Sequence, residues 1–147
     1  MEENTKYLGI DFGLKRIGLA ISDTGKKFSF YRDYVLNTQE GYGKIISTIL
    51  SENVSKIILG YPLNFKSEKT EITLSVEQFC SELKSLLAKQ NKEVEIVFFD
   101  ERFTSSLAQE NLIRSGLSKK KRKEKGIVDS LAAQILLQDF LDSPLNK

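Results

Sequence analysis

Apolar runs separated by short turns dominate the first 36 residues. Positions 7–11 and 17–22 are almost continuously apolar, which is typical of strands buried on both faces of a covered sheet. The residues between them, 12–16, suit a hairpin turn in which Gly13 is free to adopt a positive φ. After another turn, residues 27–36 alternate in polarity, as a third strand does. Together these runs predict an antiparallel three-stranded meander.

The rest of the chain alternates between helical and strand-like patterns. The predicted elements are a helix over 37–53 with Thr38 as its N-cap, a buried strand over 55–60, a helix over about 71–90, a strand over 94–99, a helix capped by Thr104 or Ser105 and ended by Gly116, and a helix over 126–141 stopped by Pro144. This order predicts one α/β domain over residues 1–147, with a mixed five-stranded sheet. Two parallel strands extend the meander, and helices cover both faces.

The composition removes several kinds of chemistry. Histidine is absent, which excludes Ser-His-Asp triads and histidine-containing metal sites. The single cysteine, Cys80, cannot form an intrachain disulfide or a cysteine zinc site, and its place on an apolar helical stripe predicts a core role. No signal-like or membrane-spanning apolar run occurs, so we expect a cytoplasmic protein. Catalysis must then rely on carboxylates, lysines, arginines, hydroxyls or a metal.

Acidic residues stand in apolar surroundings near the ends of predicted elements. Asp11 lies towards the end of the first strand, Asp100 and Glu101 end the last strand, and Asp129 begins the last helix. Sites in such sheets form at the carboxyl ends of parallel strands, so these carboxylates converge if the first and last strands are adjacent and parallel. Since neighbouring strand residues point to opposite faces, only one of Asp100 and Glu101 is expected to take part.

Each acid also has a purely structural interpretation. Asp11 can be a turn residue whose carboxylate accepts from backbone amides. Asp129 can complement the dipole of the helix that it begins. Taken together, however, Asp11, Glu101 and Asp129 form a set of hard oxygen ligands, which favours Mg²⁺ or Mn²⁺ over zinc. Two such ions about 4 Å apart would activate a water and stabilise the leaving oxygen in phosphodiester cleavage.

Basic residues flank each of the three acids, and they are Lys15, Arg16, Arg102, Lys119, Lys120, Lys121, Arg122 and Lys123. Cations beside a metal centre suit a polyanionic substrate, whose affinity falls as salt rises. A lysine-rich segment can equally be solvated surface. Its position just before the third acid favours nucleic-acid binding.

The motifs GIDFGLKRIGLAISD, ILGYPLN, FFDERFTS and KGIVDSLAAQILLQDFL, taken in this order, cover nearly the whole chain. In them the chain resembles the YqgF/RuvX family, Holliday-junction-resolvase-like proteins with an RNase H-like fold that are described as candidate pre-16S rRNA nucleases. The resemblance implies a bacterial cytoplasmic protein with a divalent-metal carboxylate site and a role in maturing the 5′ end of 16S rRNA. Carried over by motif, the family's acids fall on Asp11, Glu101 and Asp129. After Asn64 this chain has FKSEKT, where family members often carry a glycine-containing acidic stretch.

The leading hypothesis is therefore a metal-dependent nuclease that acts on structured RNA, namely precursor 16S rRNA, either free or in a ribosomal particle. One alternative is a resolvase of Holliday junctions or other branched DNA, which would need a dimer to cut two strands symmetrically. No clear dimer seam is visible in the sequence, so we expect a monomer or weak dimer. Another alternative is a non-catalytic nucleic-acid-binding factor in RNA processing or transcription. An ATPase like the sugar kinases fits poorly, because those enzymes close two such domains around ATP.

Overall fold

The computed structural model describes the backbone of residues 4–100 and 125–146, and the side chains of the same residues except 125–129. The elements are β1 (Lys6–Asp11), β2 (Arg16–Ser22), β3 (Ser29–Leu36), α1 (Gln39–Ser51), β4 (Val54–Tyr61), α2 (Glu71–Lys89), β5 (Glu95–Asp100), α3 (Lys125–Asp142) and a short 3₁₀ turn (Pro144–Asn146). These bounds agree with the predicted elements to within a few residues. The predicted helix ended by Gly116 and the basic segment before α3 lie outside the described residues.

The five strands form one mixed sheet in the order β3-β2-β1-β4-β5. Strands β1, β2 and β3 pair antiparallel, while β4 is parallel to β1 and β5 is parallel to β4. The predicted meander with two added parallel strands is thus confirmed. The first and last strands are parallel but not adjacent, because β4 lies between them.

Both faces of the sheet are covered, as predicted. On one face the alternating residues of β1 and β4 pack against α1 and α2, and this core includes Leu8, Ile10, Ile57, Leu59, Ile45, Ile49, Val76 and Leu83. On the other face Tyr7, Ile58 and Phe99 pack against α3 through Ala133, Leu137 and Phe140. We call these the α1/α2 face and the α3 face. Cys80 is buried in the core of the first of them, as expected.

The helix ends are set by local hydrogen bonds. Thr38 caps α1 as predicted, because its side chain accepts from the amide of Gly41 at 3.1 Å. At the start of α2 the amide of Thr70 donates to Thr73 Oγ1 at 3.0 Å. Among the described residues, no helix is both long enough and apolar enough to cross a membrane.

Candidate active site at the carboxyl edge of the sheet

Asp11 ends β1 on the α3 face. Strand alternation places Tyr7, Gly9 and Asp11 on that face, and Tyr7 packs against α3 there. Asp11 is half-buried and pairs across the strands with Gly18 of β2. We call the edge where β1, β4 and β5 end the carboxyl edge, and the edge where they begin the amino edge.

Contacts between β1 and α3 show that the two elements run in opposite directions. The ring centroids of Tyr7 and Phe140 are 6.3 Å apart. Two residues further along β1, a Cβ placed on Gly9 would lie 2.8 Å from Leu137 Cβ and 3.2 Å from the carbonyl oxygen of Ala133. Each step along β1 towards Asp11 is therefore a step towards the beginning of α3. Glycine at position 9 allows the helix to pack this closely on the strand.

The same progression brings the backbone of Asp129 towards Asp11. Asp129 lies in α3 four residues before Ala133 and eight before Leu137, a spacing that puts the three positions on one helix face. Tyr7 contacts Phe140, and Gly9 lies against Leu137 and Ala133. Two residues further along β1 and one helical turn earlier in α3, the corresponding positions are Asp11 and Asp129. The described side chains do not include that of Asp129.

Asp100 lies on the other face of the sheet. It is paired in register with Tyr61 of β4, and Tyr61 packs on the α1/α2 core and donates a hydrogen bond from its hydroxyl to Glu77 of α2 at 2.9 Å. Residues paired in register share a face, so the side chain of Asp100 leaves β5 on the α1/α2 face, which is opposite to the face of Asp11. Glu101 lies outside the described residues.

A glycine occupies the sheet position between β1 and β5 at this edge. Gly60 of β4 is paired with Phe99, which packs on the α3 core, and it follows the Leu59 that is paired with Ile10. Two strand spacings separate β1 from β5, about 9.5 Å. Because Gly60 has no side chain, β4 itself puts no side chain between β1 and β5 on the α3 face there. The pattern of apolar residues gave no sign of this position.

The β1–β2 hairpin beside Asp11 is held by Asn37. The side-chain amide of Asn37 donates to the carbonyl of Gly13 at 2.9 Å. The backbone amide of Asn37 donates to the carbonyl of Lys15, also at 2.9 Å. The hydroxyl of Tyr42 in turn donates to Asn37 Oδ1 at 2.6 Å. Sequence reasoning missed Asn37, which was placed at the start of a helix.

The predicted reason for Gly13 was wrong. Its φ lies outside the left-handed range. Instead, a Cβ on Gly13 would overlap the carbonyl oxygen of Arg16, so glycine is required by a close approach of two backbone segments. The hairpin can thus turn tightly next to Asp11.

Of the predicted cationic residues, Lys15 and Arg16 are described. Lys15 is exposed in the hairpin, and Arg16 is half-buried at the start of β2. Alternation puts Arg16 on the same face as Gly18 and Ala20, which is the α3 face and the face of Asp11. Arg102, Lys119, Lys120, Lys121, Arg122 and Lys123 lie outside the described residues.

A second polar group, not foreseen from the sequence, lies where β4 meets α2. Glu77 Oε2 accepts from Tyr61 at 2.9 Å and from Lys69 Nζ at 2.8 Å. The hydrogen bond from Lys69 is the main cause that lowers the pKa of Glu77, and the same bond raises the pKa of Lys69. Burial, followed by the bond to Glu77, raises the pKa of Tyr61. The group fastens the segment after β4 to α2.

The predicted ligands suit a hard divalent cation. Asp11 offers carboxylate oxygens, while among the described side chains no group of three acidic, histidine or cysteine residues gathers closely enough to hold a metal ion. The described side chains include that of Asp11 but not those of Glu101 and Asp129. Oxygen donors without nitrogen or sulfur are those that Mg²⁺ and Mn²⁺ prefer.

Comparison with known proteins connects this arrangement to nucleic-acid enzymes. The model of the family described as "RuvX: Holliday junction resolvase" matches residues 5–143. A relative from Sulfurihydrogenibium sp. (strain YO3AOP1), named as a candidate pre-16S rRNA nuclease, is 40% identical over 138 residues, covering 94% of this chain and 90% of the relative. A relative of the same name from Mycoplasmopsis synoviae is 41% identical over 141 residues, covering 93% of this chain and 97% of the relative.

Solved structures share the fold at low sequence identity. Thermus thermophilus RuvC in complex with a Holliday junction substrate matches with a TM-score of 0.56 and 14% identity, covering 92% of this chain and 94% of RuvC. The yeast mitochondrial Holliday junction resolvase Ydc2 matches with a TM-score of 0.54 and 13% identity, covering 94% of this chain and 78% of Ydc2. These neighbours show the RNase H-like fold that the resemblance implied. Because the family model matches residues 5–143 and the relatives are 40% and 41% identical over nearly their full length, the chain belongs to the RuvX family.

Proposed function

We propose that this protein is a metal-dependent nuclease that processes the 5′ end of precursor 16S rRNA in the cytoplasm. The observation that carries the proposal is that α3 packs antiparallel on β1, so that Asp11 ends the strand on the side towards the beginning of the helix, where Asp129 lies in the sequence. The names of the full-length relatives support the substrate. The proposed substrate is the precursor RNA itself or a ribosomal particle that contains it, and the proposed enzyme is a monomer or weak dimer.

Asp11, Glu101 and Asp129 are the proposed ligands of Mg²⁺ or Mn²⁺. When two such ions are bound, they supply an activated water and charge stabilisation for the leaving oxygen of a phosphodiester. Asp11 contributes from a strand end that Asn37 steadies through the neighbouring hairpin. Asp129 contributes from a helix that Gly9 allows to pack closely on β1.

Between the two adjacent acids of β5 we favour Glu101 as the ligand. Asp100 starts on the α1/α2 face with Tyr61, whereas Asp11 is on the α3 face. Continuing the strand alternation by one residue would turn Glu101 towards the face of Asp11. Gly60 has no side chain that would obstruct Glu101 in reaching across β4.

Cations at the same edge are the proposed contacts for the phosphates of the substrate. Arg16 shares the face of Asp11, and Lys15 is exposed beside it. We assign the same role to Arg102 and to residues 119–123, which flank the other two acids in the sequence. Phosphate contacts of this kind make binding strongly salt-dependent.

The test is a cleavage assay on labelled precursor 16S rRNA with Mg²⁺, Mn²⁺ or EDTA. Wild type is compared with Asp11→Asn and with Asp33→Asn, a matched control that removes an exposed carboxylate from β3. The proposal expects cleavage that requires the metal and falls more than about 100-fold in the Asp11 variant, since even residues that only support metal ligands cost 10–100-fold. Cleavage that persists in EDTA or in Asp11→Asn would refute the mechanism.

Resolution of branched DNA is the second candidate, favoured by the description of the matching family and by the fold shared with RuvC. A labelled four-way DNA junction in the same assay separates the two. Junction cleavage that needs Asp11, without RNA cleavage, would move the assignment to a resolvase. Binding of nucleic acid without any cleavage of free RNA, junction or ribosomal particle would leave a non-catalytic binding factor.

A further inference from the structure

Phe65 presents its whole ring to solvent. Its exposed fraction is 99%, the highest among the large hydrophobic side chains that the structure describes. Other exposed apolar residues, such as Phe28 at 60% and Phe98 at 42%, keep part of their surface in contact with the fold. An aromatic ring exposed to this degree contributes nothing to the core. A single exposed apolar side chain is ordinary on a protein surface, so the case for a binding role depends on how the loop holds the ring and on where the loop lies.

The loop that carries Phe65 is held in one shape by hydrogen bonds on both sides of the ring. Asn64 Oδ1 accepts from the amides of Lys66 and Glu68, both at 2.9 Å, and the amide of Asn64 donates to the carbonyl of Glu68 at 3.1 Å. Leu63 and Lys69 form an isolated antiparallel bridge that closes the loop. The ring is therefore displayed on a fixed turn.

Both ends of the loop are also fastened to α2. The hydroxyl of Thr73 donates to the carbonyl of Pro62, and Lys69 Nζ donates to Glu77 at 2.8 Å. This anchoring lowers the entropy that the loop loses when a ligand binds, so a contact made by Phe65 retains more of its binding free energy.

The loop stands at the same edge of the sheet as the proposed active site, on the side of α2. It leaves the end of β4 directly after Tyr61, and β4 lies beside β1, which ends at Asp11. Lys66, next to Phe65, is exposed and can approach a phosphate. A ring next to a cation at this place has the chemistry of a stacking platform for single-stranded nucleic acid, in which bases stack on aromatic side chains while lysines follow the backbone.

We propose that Phe65 stacks on an unpaired base of the nucleic acid whose backbone is bound at the carboxyl edge. The inference rests on the proposed nuclease function and adds a substrate property to it: the nucleic acid has at least one unstacked nucleotide near the cleaved bond. Phe65 is thus a binding and specificity residue, outside the set of residues that perform the chemistry.

The chain has no tryptophan, so a Phe65→Trp substitution introduces a single reporter whose fluorescence is quenched when a base stacks on it. The substitution is made together with Asp11→Asn so that bound RNA stays intact. Binding is followed independently by the anisotropy of fluorescein-labelled RNA. The matched control is Phe28→Trp, because Phe28 is also exposed but lies in the β2–β3 turn at the amino edge. We expect quenching at position 65 by single-stranded RNA, little by blunt duplex RNA, and none at position 28.

Affinity gives a second measurement. Phe65→Ala should weaken binding of single-stranded RNA about 5- to 150-fold, which corresponds to about 1–3 kcal/mol for one stacked base. Phe65→Tyr should bind single-stranded RNA with the wild-type affinity. Phe65→Leu, which keeps apolar surface but has no flat ring, should bind it as weakly as Phe65→Ala. Since the ring has no packing partner in the fold, all three variants should unfold at the wild-type temperature.

The possible failures are distinguishable. If anisotropy shows that RNA binds to the Phe65→Trp variant but the tryptophan fluorescence is not quenched, the stacking proposal is overturned and the nuclease proposal stands. The same holds if Phe65→Leu binds RNA with the wild-type affinity. If the wild-type protein binds neither RNA nor a DNA junction, the proposed function falls and the stacking role falls with it.

Discussion

The two edges of the sheet use their charged residues in different ways. At the amino edge the charges are paired within the fold: Glu52 accepts from Arg32 at 2.5 Å and from Lys6 at 3.5 Å, and Lys56 lies 3.6 Å from Glu95. At the carboxyl edge, Asp11 ends β1 on the face that α3 covers, and α3, which carries Asp129 near its beginning, packs antiparallel on that strand. Pairing opposite charges stabilises a fold, whereas gathering like charges does not, unless a cation binds between them. The pairs at the first edge therefore serve stability, as does the Lys69–Glu77 pair beside α2, whereas the α3 face of the second edge is the proposed ligand site.

The protonation behaviour of the amino edge agrees with a structural role. The hydrogen bond from Arg32 is the main cause that lowers the pKa of Glu52. At Asp23, in the β2–β3 turn, burial raises the pKa, but backbone amides of Phe28 and Lys27 donate to the carboxylate and the net result is a lowered pKa. Both carboxylates are thus held in the ionised form by partners inside the fold.

The largest expected difference is between two neighbouring acids at the carboxyl edge. Glu101→Gln should reduce RNA cleavage by more than about 100-fold, as loss of a metal ligand does, whereas Asp100→Asn, on the opposite face of β5, should change it much less. Initial cleavage rates with Mg²⁺ measure both. Equal losses in the two variants would contradict the assignment of the faces, and a larger loss in the Asp100 variant would reverse it.

Gly9 tests whether the close packing of α3 positions the carboxyl edge. A Gly9→Ala substitution puts a methyl group 2.8 Å from Leu137 Cβ, so α3 has to shift, at a cost of about 1–3 kcal/mol in the free energy of unfolding. Cleavage should fall as well, because the helix carries Asp129. Gly43→Ala is the control: a Cβ there has no atom within 4 Å, so the substitution should stabilise α1 by about 0.5–1 kcal/mol. Denaturant unfolding measures both.

Asn37 tests the hairpin next to Asp11. Asn37→Ala removes a side-chain hydrogen bond to Gly13 and leaves the hydroxyl of Tyr42 without its acceptor, which should cost about 1–2 kcal/mol in stability. Cleavage should decline as the hairpin loosens. Tyr42→Phe removes only the outer hydrogen bond and should have a smaller effect of the same sign. An Asn37 variant with wild-type cleavage would show that the hairpin does not position the site.

Glu52 tests the amino edge and gives the smallest effect. Because its pKa is lowered in the folded state, its stabilisation is present above its ordinary pKa of 4.5 and is lost as the pH falls through the lowered value. Glu52→Gln should therefore cost up to about 1 kcal/mol at pH 7, the scale of surface ion pairs. The difference from wild type should shrink in acid unfolding curves below about pH 4. Cleavage should not change.

Local sequence patterns predicted the elements well, while contacts between distant segments escaped them. The apolar run of β1 and the cap at Thr38 were predictable because each depends on neighbouring residues. The order of β4 and β5 was not, since alternation of helices and strands fits more than one strand order. Placing β4 between β1 and β5 puts two strand spacings between Asp11 and the end of β5, a separation that no local pattern marks.

The same limit applies to the candidate site. Asp11 and the position of Asp129 could be selected from charge in apolar surroundings. Gly13 was selected for the wrong reason, since its need arises from the carbonyl of Arg16 across the turn. Asn37 serves the hairpin from 24 residues away, a relation that only the folded chain shows.

We propose that Asp11, on the α3 face of the carboxyl edge, serves chemistry, whereas Glu52 at the amino edge serves stability. The most direct measurement takes Asp11→Asn and Glu52→Gln side by side and determines, for each, the rate of precursor 16S rRNA cleavage with Mg²⁺ and the free energy of unfolding at pH 7. We predict that Asp11→Asn loses cleavage and remains folded, and that Glu52→Gln loses stability and keeps cleavage. Wild-type cleavage by Asp11→Asn, or loss of cleavage in a folded Glu52→Gln protein, would contradict this account.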